Sequence, residues 1–82
     1  MKNLTKEEAI ERVNYEIKSY IVATCYTQKE AVEACADEFK NWSPSDSNFS
    51  NKLDRGTFRY LDAQQLAEIL GYEIVWRRRR DD

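Results

Sequence analysis

Ser47-Asn48-Phe49-Ser50-Asn51-Lys52-Leu53-Asp54-Arg55-Gly56 is the stretch on which the fold turns. Phe49 and Leu53 stand four residues apart, so in a helix they share one face and can be buried together. With those two inward, a step of about 100° per residue turns Ser47, Asn48, Asn51 and Arg55 outward and leaves Ser50 and Lys52 on the flanks. Gly56 occupies the position where a left-handed residue ends a helix. Upstream, Pro44 is the only proline of the chain; Ser43 before it and Asp46 after it complete a start signal, with Ser43 as N-cap and Pro44 as first helical residue. A short polar helix is therefore predicted from Pro44 to about Asp54.

The same signals recur on both sides. Thr5 with Glu8 and Thr27 with Glu30 are capping boxes, in which a hydroxyl and a carboxylate serve amides that a helix start leaves free. The first box opens a helix carrying Ile10, Val13, Ile17, Tyr20 and Ile21 as one apolar stripe, expected to end near Thr24 to Tyr26. The second opens a helix reaching about Lys40, in which Ala31, Val32, Ala34, Cys35, Ala36 and Phe39 let a neighbouring helix approach closely. Downstream, Ala63, Leu66, Ala67 and Leu70 mark a helix from about Tyr60 to Leu70, stopped by Gly71.

After Gly71 the period changes to two. Tyr72, Ile74 and Trp76 alternate with Glu73, Val75 and Arg77, which reads as a short strand. A lone strand leaves its hydrogen-bonding edges open, and no second strand signal occurs in the chain. The economical partner is the same strand of a second copy, which makes Tyr72, Ile74 and Trp76 the expected homodimer interface. The expected class is all-α: a compact four-helix domain over residues 1–76 with a short C-terminal β-strand, followed by a charged tail over 77–82.

Composition narrows the function classes. Eighty-two residues suffice for one small core. No run approaches the roughly 18 apolar residues of a membrane span, and Met1 to Glu8 lacks the apolar centre of a signal peptide, so no membrane partner and a cytoplasmic location are expected. Cys25 and Cys35 have no second cysteine pair and no histidine to complete a zinc site; two buried thiols fit better than a metal site or a disulfide. The absence of histidine removes the commonest general base, and no activated carboxylate or thiol is evident. Neither an enzyme nor a cofactor is expected. The net charge of −2 is uneven: six basic and nine acidic residues in 1–51, seven basic and four acidic in 52–80, then Asp81 and Asp82.

Thr27-Gln28-Lys29-Glu30-Ala31, then Ser47 to Gly56, then Leu66-Ala67-Glu68-Ile69-Leu70-Gly71 together resemble the Cro/repressor (xenobiotic-response-element) helix-turn-helix family, over about Tyr26 to Trp76. An inserted segment, roughly Phe39 to Ser45 with an exposed-looking Trp42, lengthens the turn before the recognition helix relative to that family. The resemblance implies a helix-turn-helix fold in which Gln28 contacts phosphate and the helix from Pro44 to Asp54 lies in the major groove of double-stranded DNA.

The outward side chains suit that role. Asn48 and Asn51 can pair with adenine, Arg55 with guanine, Ser47 and Ser50 with either, and Lys52 with phosphate; Arg59 is a further phosphate candidate. A helix of Ser and Asn is also what an ordinary solvated surface presents. The leading expectation is a phage- or mobile-element-like transcriptional repressor acting as a homodimer on a palindromic operator. The alternative is a helix-turn-helix scaffold reused as a protein-binding inhibitor, of anti-CRISPR or antitoxin type, with a partner such as a nuclease. The acidic net charge and the lengthened turn favour it, and Trp42 is its natural contact.

Overall fold

The computed structural model describes residues 3–24 and 26–79 of the chain. Four helices follow one another: α1 Lys6–Ala23, α2 Gln28–Glu38, α3 Asp46–Arg55 and α4 Tyr60–Leu70. Their starts follow from local chemistry. Thr5 Oγ1 accepts from the Glu8 amide at 3.1 Å while Glu8 Oε1 accepts from the Thr5 amide at 2.8 Å. Thr27 and Glu30 repeat the exchange at 3.1 and 2.9 Å.

Two helix ends are made by glycine. Gly56 (φ +71°) and Gly71 (φ +86°) both sit in the left-handed region. Beyond each, the chain folds back: the Thr57 amide reaches the Lys52 carbonyl at 2.9 Å and the Tyr72 amide the Ala67 carbonyl at 2.8 Å. This six-to-one closure satisfies carbonyls that a helix end otherwise leaves open.

The third helix starts two residues later than expected. Ser45, not Ser43, is its N-cap, its hydroxyl accepting from the Asn48 amide at 3.1 Å, and Asp46 rather than Pro44 is the first helical residue. Ser43 instead accepts from the Ser45 amide at 3.3 Å, so its hydroxyl serves the turn around Pro44. Both serines are competent caps; the later start lets the segment before it lie across the core.

That core consists of Ile21 from α1, Ala31, Val32 and Cys35 from α2, Phe49 and Leu53 from α3, and Leu66 and Leu70 from α4. Ala31, Val32 and Cys35 are fully buried, as the small-residue face of α2 requires if two helices are to close on it. Trp42 is the main correction. Expected at the surface, it is half-buried and packs against the core, its ring 6.0 Å from Phe49 and 6.0 Å from Phe58, which are themselves 5.4 Å apart. An aromatic ring of this size stabilises most when covered, and its indole N–H finds an acceptor in Gln65 Oε1 at 2.9 Å.

The stripe of α1 is covered only in part. Ile21 is buried and Ile10 and Ile17 are half-buried, whereas Val13 and Tyr20 remain 48% and 46% exposed. The expected C-terminal strand is not formed: among the described residues there is no strand, and residues 72–79 are all exposed. The described residues supply no edge for that segment to pair with, so its alternation has no ladder to join.

Cys35 is a buried free thiol, as expected; Cys25 lies outside the described residues. Arg80, Asp81 and Asp82 of the expected tail also lie outside them. No helix among the described residues is long and apolar enough to cross a membrane.

Candidate nucleic-acid interface

α3 is held from beneath by Phe49 and Leu53, which are 3% and 1% exposed. This fixes the rotation of the helix and turns Ser47, Asn48, Asn51 and Arg55 to the surface, with Ser50 and Lys52 half-buried beside them, in the arrangement that the spacing predicts. Ser45 caps one end and Gly56 the other, with Asp46 in the first turn and Lys52 and Arg55 in the last, where each charge opposes the helix dipole.

Gln28, a phosphate contact by the resemblance, is engaged within the protein. It is half-buried at the start of α2, and its amide nitrogen donates to Asp46 Oδ1 at 2.7 Å and to Ser50 Oγ at 2.9 Å. Both N–H groups are thus directed at the first turns of α3, and the remaining amide oxygen is an acceptor that a phosphate does not need. Gln28 acts here as a brace between α2 and α3, and Ser50 is drawn into that brace.

The cationic flank is built differently from each side. Lys52 is half-buried and lines a small notch with Trp42, Ser43, Asn48, Phe49, Phe58 and Asp62. Arg59 precedes α4 and is pinned to Asp62: Nη2 lies 3.2 Å from Oδ1, Nε 3.3 Å from Oδ2, and the Arg59 amide 3.0 Å from Oδ2. The Asp62 side chain is buried while that of Arg59 is 60% exposed, so the guanidinium has a fixed base and an open outer edge. This is the one ion pair among the described residues.

Two residues of this region were missed from the sequence. Asp62 had a legible signal, since an acidic residue at the third helical position is where a carboxylate returns to a helix start. Gln65 had none: it joins Trp42 and Asn41 to α4, bonding Asn41 through both amide atoms at 2.8 and 3.0 Å, across 24 residues of chain.

Asp54 is the one uncompensated acid on α3, and its Oδ1 accepts from Asn14 Nδ2 of α1 at 3.2 Å, which draws it towards α1. The outward surface is therefore polar along Ser47, Asn48 and Asn51, with cations at Lys52, Arg55 and Arg59 and the exposed Asp54 carboxylate at its edge towards α1. Such a surface can donate and accept hydrogen bonds at base edges and place positive charge beside phosphate. It holds no group of three metal-ligating side chains among the described residues. Compared with known proteins, the chain matches no family model, no curated protein and no solved structure.

Proposed function

We propose that this chain is a sequence-specific DNA-binding transcriptional regulator of phage or mobile-element type, acting in the cytoplasm with α3 in the major groove of double-stranded DNA. The observation that carries the reading is the two-sidedness of α3: Phe49 and Leu53 are locked in the core while Ser47, Asn48, Asn51 and Arg55 stand exposed in one row. Hydrogen-bonding side chains on a rigid element discriminate between bases because their geometry cannot adapt to the wrong edge. Gln28 supports the reading by holding α2 against the first turns of α3. Lys52 and Arg59 supply phosphate contacts.

The operator would be an inverted repeat read by two copies, with recognition helices about 34 Å apart on successive major-groove faces. Repression follows from occupancy, without a cofactor. The acidic net charge of −2 favours the second reading, an inhibitor or antitoxin that binds a protein such as a nuclease. Under that reading the Trp42 ring, half-buried beside Phe49 and Phe58, has only part of its surface free for a partner.

Selection from a pool of randomised duplexes tests the function. The chain should enrich one short inverted repeat, and the Asn48→Ala/Asn51→Ala variant should lose that enrichment while keeping its helical content. A pool that stays random even at low salt overturns the operator reading and turns the search to protein partners.

A further inference from the structure

A groove of about 490 Å³ opens between α1 and α4, lined by Val13, Ile17 and Tyr20 on one side, Leu66 and Leu70 on the other, and by the segment after Gly71. That segment is fastened at two points. The Tyr72 ring packs edge-on against Tyr20 at 4.9 Å, and Trp76 lies 5.9 Å from Tyr60, its Nε1 donating to the Tyr60 hydroxyl at 2.8 Å. Between these points Ile74 and Val75 are 41% and 64% exposed. After the Tyr72 amide, no backbone group of residues 73–79 forms a backbone hydrogen bond with any described residue.

The molecule thus presents apolar side chains and an open backbone edge at the same place. What completes it must bring both apolar side chains and free N–H and C=O groups, which describes an extended segment. The charged side chains lining the groove, Glu16 and Glu73, are both acidic, so the incoming segment is basic. Residues 72–79 meet every requirement themselves: alternating apolar side chains, a backbone unpaired beyond the Tyr72 amide and the run Arg77 to Arg79. A surface that matches itself is satisfied by a two-fold pair.

We propose that two copies of this chain pair antiparallel through residues 72–78, centred on Val75, so that each brings its segment to the α1–α4 groove of the other. Charge and apolar pairing together select the centre. With Val75 opposite itself, Glu73 faces Arg77 of the second copy, twice by symmetry, and Ile74 faces Trp76. Centring on Ile74 sets Glu73 against Val75 and leaves no ion pair, and centring on Trp76 sets Glu73 against Arg79 but Ile74 against Arg78 and Val75 against Arg77, which loses the apolar pairs. Cross-strand neighbours of opposite charge and apolar neighbours stabilise a pairing and like charges destabilise it, so the register centred on Val75 is the one that keeps both. The proposal builds on the two-copy part of the functional reading and supplies the assembly that an inverted repeat requires.

Sedimentation velocity without DNA tests it, using the wild-type chain, Glu73→Arg, Arg77→Glu, the double variant and an equimolar mixture of the two single variants. The wild type should dimerise. Each single variant sets like charges opposite one another and should weaken dimerisation about tenfold or more. The double variant and the mixture, in which opposite charges face again, should recover it. The helical signal in far-UV circular dichroism should be unchanged throughout, since the segment lies outside the helices.

A wild-type chain that stays monomeric at the highest attainable concentration overturns the proposal and leaves the groove to a different protein. Single variants that dimerise normally, or a mixture that fails to recover, overturn the register. Because DNA is absent, a monomer that still selects a sequence through Asn48 and Asn51 removes only the assembly. A dimer that selects nothing removes only the operator.

Discussion

The indole nitrogen of Trp42 donates to Gln65 Oε1 at 2.9 Å, joining the segment before α3 to the middle of α4. The contact turns an insertion into part of the core, because Trp42 brings Phe49 and Phe58 together beneath α3. Trp42→Ala should therefore lower stability by on the order of 3 kcal/mol, the low end for truncating a packed tryptophan, whatever the chain binds. Trp42→Phe keeps most of the packing and should lose about 1 kcal/mol with the hydrogen bond. Urea denaturation measures both. A Trp42→Ala variant of wild-type stability would show that the ring does not support α3.

Gly56 and Gly71 share a left-handed conformation but differ in surroundings. A Cβ on Gly71 meets nothing within 4 Å, so Gly71→Ala should cost about 1 kcal/mol from backbone strain alone. A Cβ on Gly56 falls 2.8 Å from Ile10 Cδ1 and 3.0 Å from Cγ1, so Gly56→Ala should cost more. Ile10→Ala should recover the difference when combined with it, giving a coupling energy of about 1 kcal/mol in a double-mutant cycle. Equal costs for the two glycine variants would contradict the contact.

Much of this fold is legible locally. Thr5 with Glu8, Thr27 with Glu30, Gly56 and Gly71 act within one turn of their own helix, so their spacing alone locates helix ends. Phe49 and Leu53 show which way α3 faces for the same reason. The errors are all at a distance. Ser43 and Ser45 are equal as caps, and the choice between them depends on where Trp42 is seated. Trp42 lies in a stretch without periodicity, and its partner Gln65 is 23 residues away. Gln28 meets Asp46 across 18 residues. The alternation after Gly71 is genuine, but a strand is a relation between two segments, and no second one occurs among the described residues.

The brace at Gln28 carries a pH signature. Gln28→Glu removes both donors and sets a second carboxylate where the amide nitrogen lies 2.7 Å from Asp46 Oδ1. Two carboxylates at that distance cannot both ionise without cost, so the variant binds a proton more tightly folded than unfolded. Its stability should therefore fall as pH rises from 4 to 7, ending about 1 to 2 kcal/mol below wild type, whereas Gln28→Ala should show a loss independent of pH over that range. Thermal denaturation at the two pH values reads the difference. Parallel behaviour of the two variants would mean that Gln28 is not held against Asp46.

Burial pushes the Cys35 thiol from an ordinary 9.0 up to about 12. The folded state prefers the protonated form, so the stability linked to this group is complete below pH 9 and is lost as pH rises from there towards about 12. In a Cys25→Ser background, Cys35 should resist thiol reagents at pH 8 until the chain is unfolded. Fast labelling of the folded protein would contradict its burial.

On the proposed function, α3 presents the DNA-facing surface. The most direct test is amide chemical-shift mapping of the isotopically labelled chain during titration with a short duplex at low salt, repeated with the enriched duplex once selection supplies it. Shifts should concentrate at Ser47, Asn48, Asn51, Lys52, Arg55 and Arg59, with the α1–α4 groove unaffected. Shifts confined to the groove or to Arg77–Arg79, or none at any duplex concentration, would contradict it.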